Sequence, residues 1–64
     1  MRDPKRIEKI LGLLQEGWEK VPDWRFGQVI ENFKRWVNVA DLFYIEDEKI
    51  EDLIKEFFQL EENK

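Results

Sequence analysis

Apolar residues recur with helical spacing in three segments of the chain, and two short breaks separate these segments. Because about 3.6 residues make one helical turn, side chains three and four positions apart share a face. The pattern therefore predicts an all-α fold, a small three-helix up-down-up bundle. We expect a single domain over residues 1–64, with helices at about 4–20, 24–38 and 47–61.

The first predicted helix begins at Asp3-Pro4, since aspartate caps free N–H groups and proline suits the first helical position. Gly17 lies at the edge of the apolar face, where its missing side chain is expected to permit close approach of another backbone. Gly12 is expected to project outward. The apolar face consists of Ile7, Ile10, Leu11, Leu14, Trp18 and Val21.

The middle helix is expected to organise the fold by contacting both of its neighbours. Asp23 is its predicted N-cap, and Asn38 can adopt the left-handed conformation that ends a helix. Its apolar face comprises Phe26, Val29, Ile30, Phe33 and Val37, with Trp36 at the edge. A polar stripe runs beside this face and contains Arg25, Gln28, Asn32 and Arg35.

Residues 41–45 form an apolar run that is too short for a helix of its own. We expect a plug, in which Leu42 and Phe43 close the open side of the bundle; the alternative is an exposed edge offered to a partner. The third helix opens with acidic residues 46–48, which the helix dipole favours at this position. Its broad apolar face contains Ile50, Leu53, Ile54, Phe57, Phe58 and Leu60.

Composition argues against catalysis. The chain contains no cysteine, histidine, serine or threonine, and Tyr44 is its single tyrosine, so ordinary nucleophiles are missing. A carboxylate pair such as Asp47 and Glu51 would need a pocket that a small bundle has little room to form. The acids at 47, 48, 51 and 52 lack the EF-hand pattern. We expect no enzyme activity, cofactor, metal site or small-molecule substrate.

Charge is unevenly distributed along the chain. The net charge is −4; residues 1–45 carry eight basic and seven acidic groups, whereas residues 46–64 carry three and eight. This balance disfavours nucleic acid as a partner. Arg2, Lys5, Arg6 and Lys9 crowd the start of the first helix. They either form an anion site or, as we prefer, residues 46–48 at the same end of the bundle neutralise Arg2, Lys5 or Arg6.

The predicted partner is another protein or a second copy of the chain. Nine aromatic residues are many for a chain of 64 residues to bury. Tryptophan together with arginine is also typical of interface hot spots. The polar stripe has three interpretations: solvated surface with a Glu31–Arg35 pair, a seam against acids of the third helix, or a partner contact. The candidate binding residues are Trp24, Arg25, Gln28, Asn32, Arg35, Trp36, Phe43 and Tyr44.

We therefore interpret the chain as a protein-interaction or regulatory module; the alternative is a nucleic-acid-binding, transcription-regulating helical module. No apolar run is long enough to span a bilayer and no signal peptide opens the sequence, so a cytoplasmic location without membrane contact is expected.

Three sequence blocks also carry a resemblance. They are Arg2-Asp3-Pro4-x-Arg6-Ile7, Pro22-Asp23-x-Arg25-x-Gly27-Gln28 and Leu42-Phe43-Tyr44-x-Glu46-Asp47, and Leu13-Leu14 and Trp18 lie between the first two. Together they resemble a family of small uncharacterised proteins of bacteria and their phages, over residues 2 to about 55. The resemblance implies a bacterial or phage source and a single helical domain. Since that family has no assigned activity, no site residue is carried over.

Overall fold

A computed structural model describes residues 3–60 of the chain. Over this range it contains three helices and no strand: α1 Lys5–Glu19, α2 Phe26–Val37 and α3 Asp47–Phe58. The prediction of an all-α, three-helix up-down-up bundle is confirmed. Within residues 3–60, none of the helices combines the length and the apolar character needed to cross a membrane.

Helices α1 and α3 lie side by side and run in the same direction. At their first turns Arg6 Nε donates to Asp47 Oδ2. At their last turns the Lys20 ammonium group donates to the Phe58 carbonyl oxygen at 3.3 Å. Contacts at both ends show that the two helices pack along most of their length, as expected for the first and third members of an up-down-up bundle.

The organising element is α3, and the expectation that the middle helix would play this role is wrong. Helix α2 packs against α3 but barely touches α1. The rings of Phe33 and Trp36 each lie 5.5 Å from the ring of Phe57, so α2 is held mainly by the last turns of α3. The side chains of the buried core are Val29, Phe33, Ile54, Phe58 and Leu60.

The helix starts follow local capping chemistry. The Asp3 carboxylate accepts a hydrogen bond from the Lys5 N–H at 3.0 Å, which confirms the predicted cap of α1. The predicted Asp23 cap of α2 is wrong, because α2 begins two residues later than expected, at Phe26. There the Gln28 side-chain oxygen accepts from the Arg25 N–H at 2.7 Å. A side chain inside the first turn therefore caps this helix.

Left-handed residues end α2 and α3. Asn38, with φ of 67°, stops α2 as expected. Gln59, with φ of 56°, stops α3 after Phe58, three residues before the predicted end at 61, which itself lies outside the described residues. The Leu60 N–H then bonds to the Lys55 carbonyl oxygen at 2.8 Å, and the Leu60 side chain is buried. This 6→1 hydrogen bond is typical of a Schellman motif, which turns the chain back towards the core.

Gly12 faces outward as predicted, and Gly17 has the predicted packing role, although a side chain and not another backbone lies against it. A Cβ atom built on Gly17 would overlap the ring of Phe58, so the missing side chain allows α1 and α3 to approach closely. A Cβ atom on Gly12 would meet nothing within 4 Å. Gly17 therefore belongs to the helix interface and Gly12 to the open face.

Three residues assigned to apolar core faces are exposed instead. Ile7 and Leu11 of α1 are 50% and 57% exposed, and Phe26 of α2 is 55% exposed. The physical reason is the position of α2: because it packs mainly on α3 and meets α1 near Trp18, it leaves most of the outer side of α1 uncovered.

Candidate functional site

The most exposed aromatic side chains lie on the turn between α2 and α3. Phe43 and Tyr44 are 82% and 83% exposed, and their rings pack edge to face with centroids 4.8 Å apart. We call residues 41–45 the aromatic turn. The Asp41 carboxylate accepts from the Phe43 N–H at 3.0 Å, and the Leu42 carbonyl oxygen accepts from the Ile45 N–H at 3.2 Å. These local bonds give the turn a defined shape that presents both rings outward.

The plug predicted for this segment is half wrong. Leu42 does pack against the core, as expected. Phe43 does not close the bundle, and it points away with Tyr44. Two adjacent residues cannot both face inward in so short a turn, and the core is already filled from this side by Leu42 together with Val37 and Ile50.

The two candidate tryptophans have different environments. Trp24 is half-buried against the core, and its carbonyl oxygen accepts from the Trp18 indole N–H at 2.8 Å. Trp36 is 45% exposed and stacks on Phe33 with centroids 6.4 Å apart. Both lie beside the ring of Phe57, at 6.4 Å for Trp24 and 5.5 Å for Trp36. Phe57 thus brings them together, with Trp36 presenting the more open surface.

Some side chains of the polar stripe of α2 have structural roles, and others are exposed to solvent. Gln28 serves as the helix cap described above, and Asn32 is half-buried. Arg25 and Arg35 are exposed. Among the ion pairs of residues 3–60, none joins either arginine to a carboxylate, so both the Glu31–Arg35 pair and the seam against α3 are missing there. The two guanidinium groups are left facing solvent.

The preferred neutralisation by residues 46–48 is confirmed for Arg6, and Lys9 pairs with an acid outside that run. Arg6 pairs with Asp47, and Lys9 Nζ lies 3.2 Å from Glu51 Oε1. Arg2 lies outside the described residues. Within residues 3–60, no group of acidic side chains is arranged to hold a metal ion.

Sequence reasoning missed an apolar groove beside α1. The groove, of about 520 Å³, is lined by Leu11, Leu14, Gln15, Trp18, Glu19, Pro22 and Phe26. We call it the α1 groove. Its floor is aliphatic and aromatic, with the Trp18 and Phe26 rings 5.7 Å apart, and at its rim the Gln15 amide donates to Glu19 Oε2 at 3.0 Å.

The sequence does contain a sign of this groove. Ile7, Leu11, Leu14 and Trp18 are spaced four, three and four residues apart, which is the repeat of a helix–helix seam. Ile10, Leu13 and Gly17 form a second seam, in which Ile10 and Leu13 pack against the core and Gly17 lies against Phe58 of α3. Two seams on one helix can both be buried only if two other elements pack against that helix, whereas α3 covers one of the seams.

The chain gives no match to family models, to curated proteins or to solved structures. The functional argument therefore rests on the surfaces described above.

Proposed function

We propose that this chain is a non-enzymatic protein-binding module of bacterial or phage origin, and that the aromatic turn is the centre of its contact surface. The observation that carries the proposal is the exposure of Phe43 and Tyr44 as a preformed ring pair. Scattered exposed apolar residues are ordinary on protein surfaces, but two adjacent, almost fully exposed aromatic side chains are not. Burying them on a partner is favourable and requires little ordering, because the turn is already closed by hydrogen bonds.

Charge supports a protein partner over the nucleic-acid alternative. A net charge of −4 repels phosphate backbones, and Arg6 and Lys9 are already paired with acids of α3. The exposed guanidinium groups of Arg25 and Arg35 suit carboxylates at the edge of a protein interface. No observation favours nucleic acid specifically.

Comparative capture tests this proposal. Three immobilised baits would be exposed to the same bacterial lysate: the wild-type chain, the double variant Phe43→Ser/Tyr44→Ser, and Val39→Ser as a matched control. Val39 is a neighbouring exposed apolar residue outside the aromatic turn. We expect a protein that the wild-type and control baits retain and the double variant loses, and that binds the purified chain with defined stoichiometry.

The same captured proteins on all three baits would overturn the proposal. No specific protein on any of them, together with a wild-type chain that does not associate with itself, would also overturn it. Because Phe43 and Tyr44 are so exposed, the double variant should fold normally. Circular dichroism and thermal unfolding of each bait would verify this before any capture is compared.

A further inference from the structure

Two unfilled apolar surfaces lie on opposite parts of this small molecule. The aromatic turn precedes α3, at the end of the bundle where α1 and α3 begin. The α1 groove extends from the middle of α1 to Phe26, at the end where α1 stops. One surface protrudes and the other is concave. Neither has a partner within the described part of the chain.

We propose that the aromatic turn of one copy docks in the α1 groove of a second copy, and that two such contacts form a closed dimer. The inference rests on the proposed function, since it names the partner of the aromatic turn. Because the turn and the groove lie towards opposite ends, a two-fold axis that sets the copies antiparallel brings each turn to the other copy's groove. Such a reciprocal contact closes the assembly as a dimer instead of extending it.

The chemistry of the two surfaces is complementary. The floor of the α1 groove offers Leu11, Trp18 and Phe26 to the rings of the turn. A buried tyrosine needs a hydrogen-bond partner for its hydroxyl group. The Glu19 carboxylate and the Gln15 amide at the rim can accept that bond. An apolar floor with acceptors at one edge therefore fits a phenylalanine–tyrosine pair better than an aliphatic segment.

The area available agrees with a closed dimer. An aromatic side chain offers roughly 150–250 Å², so the exposed parts of Phe43 and Tyr44 together present roughly 250–400 Å². Seating one turn in one groove buries a similar area on each side, roughly 500–800 Å² in total, which is below the size of a stable interface. Two symmetric contacts reach roughly 1,000–1,600 Å², which overlaps the lower part of the range from about 1,200 to 2,000 Å² found for specific complexes.

Sedimentation equilibrium of the full chain over concentrations from about 10 μM to 1 mM tests self-association. We expect a monomer–dimer equilibrium without larger species. Leu11→Glu places a charge on the groove floor, and Phe43→Ser/Tyr44→Ser removes the rings of the turn. Each is expected to raise the dimer dissociation constant at least about tenfold, which is a change of about 1.4 kcal/mol. Val39→Ser should leave that constant unchanged.

Complementation between the two variants is the sharper test. A Leu11→Glu chain keeps an intact turn, and a Phe43→Ser/Tyr44→Ser chain keeps an intact groove. Mixing them should restore one of the two contacts and give a heterodimer, weaker than the wild-type dimer. In ¹⁵N-labelled Leu11→Glu protein, the amide signals of residues 41–45 should shift when the other variant is added, and should not shift when more Leu11→Glu protein is added.

Four results would overturn the inference: a wild-type chain that stays monomeric at about 1 mM, a dimer that survives either variant, growth beyond a dimer, or no complementation. A monomeric wild-type chain whose turn variant still loses a captured lysate protein would leave the proposed function standing and remove the second copy as its partner. A wild-type chain that stays monomeric, and whose turn variant loses no captured protein, would overturn both proposals.

Discussion

The two apolar faces of α1 have the same kinds of residue and opposite surroundings. On the inner face, Ile10 and Leu13 pack against the core and Gly17 lies against the Phe58 ring of α3. The outer face carries Ile7 and Leu11, each at least half exposed. The difference teaches that apolar periodicity identifies which side chains could be buried, whereas the path of a neighbouring helix decides which of them are.

The largest expected difference between the two faces comes from their glycines. Gly17→Val should destabilise the fold by about 2 kcal/mol or more, because its Cβ overlaps the Phe58 ring and the packed interface must shift. Gly12→Val adds the same atoms in the same helix where nothing lies within 4 Å, and should change stability by less than about 0.5 kcal/mol. Urea unfolding followed by circular dichroism measures both.

A domain of this size is stable by only about 3–5 kcal/mol, so Gly17→Val is expected to be partly unfolded at 25 °C. The second substitution Phe58→Leu makes room at the interface, and the double variant should lose less stability than the sum of the two single changes. Equal effects of valine at 12 and 17 would contradict the assignment of the inner face.

The next largest difference in stability is expected between alanine substitutions of Leu13 on the inner face and Leu11 on the outer face. Leu13→Ala should cost about 1–2 kcal/mol, since Leu13 is half-buried against the core and fully buried leucines cost about 2–5 kcal/mol. Leu11→Ala should cost less than about 0.5 kcal/mol in dilute solution, where the α1 groove is open. Chemical unfolding at low micromolar concentration is the measurement. A larger loss at position 11 would show that the outer face is covered in the monomer.

The smallest difference is expected between two charged residues of the first turn of α1. Arg6→Ala removes the pair with Asp47 and should cost about 0.5–1 kcal/mol, less at high salt, because both side chains are partly exposed. Lys5→Ala should cost nearly nothing, since no ion pair joins Lys5 to a carboxylate among residues 3–60. A double-mutant cycle of Arg6 with Asp47 isolates the pair. Zero coupling in low salt would show that the pair does not contribute to the register of α1 and α3.

The sequence identified several candidate binding residues but did not show how each one is placed. Phe43 and Tyr44 were candidates from composition alone, and their exposure follows from the turn that Asp41 closes. Gln28 looked available for binding until the structure placed it on the Arg25 N–H. The α1 groove could have been suspected from the two seams of α1. The groove could be identified only once the position of Phe26 was known, and that position depends on how α2 packs against the rest of the chain.

Local chemistry by itself determined the number of helices, their order and several of their ends. The Asp3 cap and the left-handed stop at Asn38 follow from short-range sterics and hydrogen bonding between residues close in the sequence. The need for glycine at position 17 does not, because it comes from the Phe58 ring of α3. Only the tertiary structure decided that α3 is the central helix. That choice depends on which broad apolar face buries the most area, a sum over distant residues that no single segment of the sequence contains. The open outer face of α1 is a consequence of the same choice.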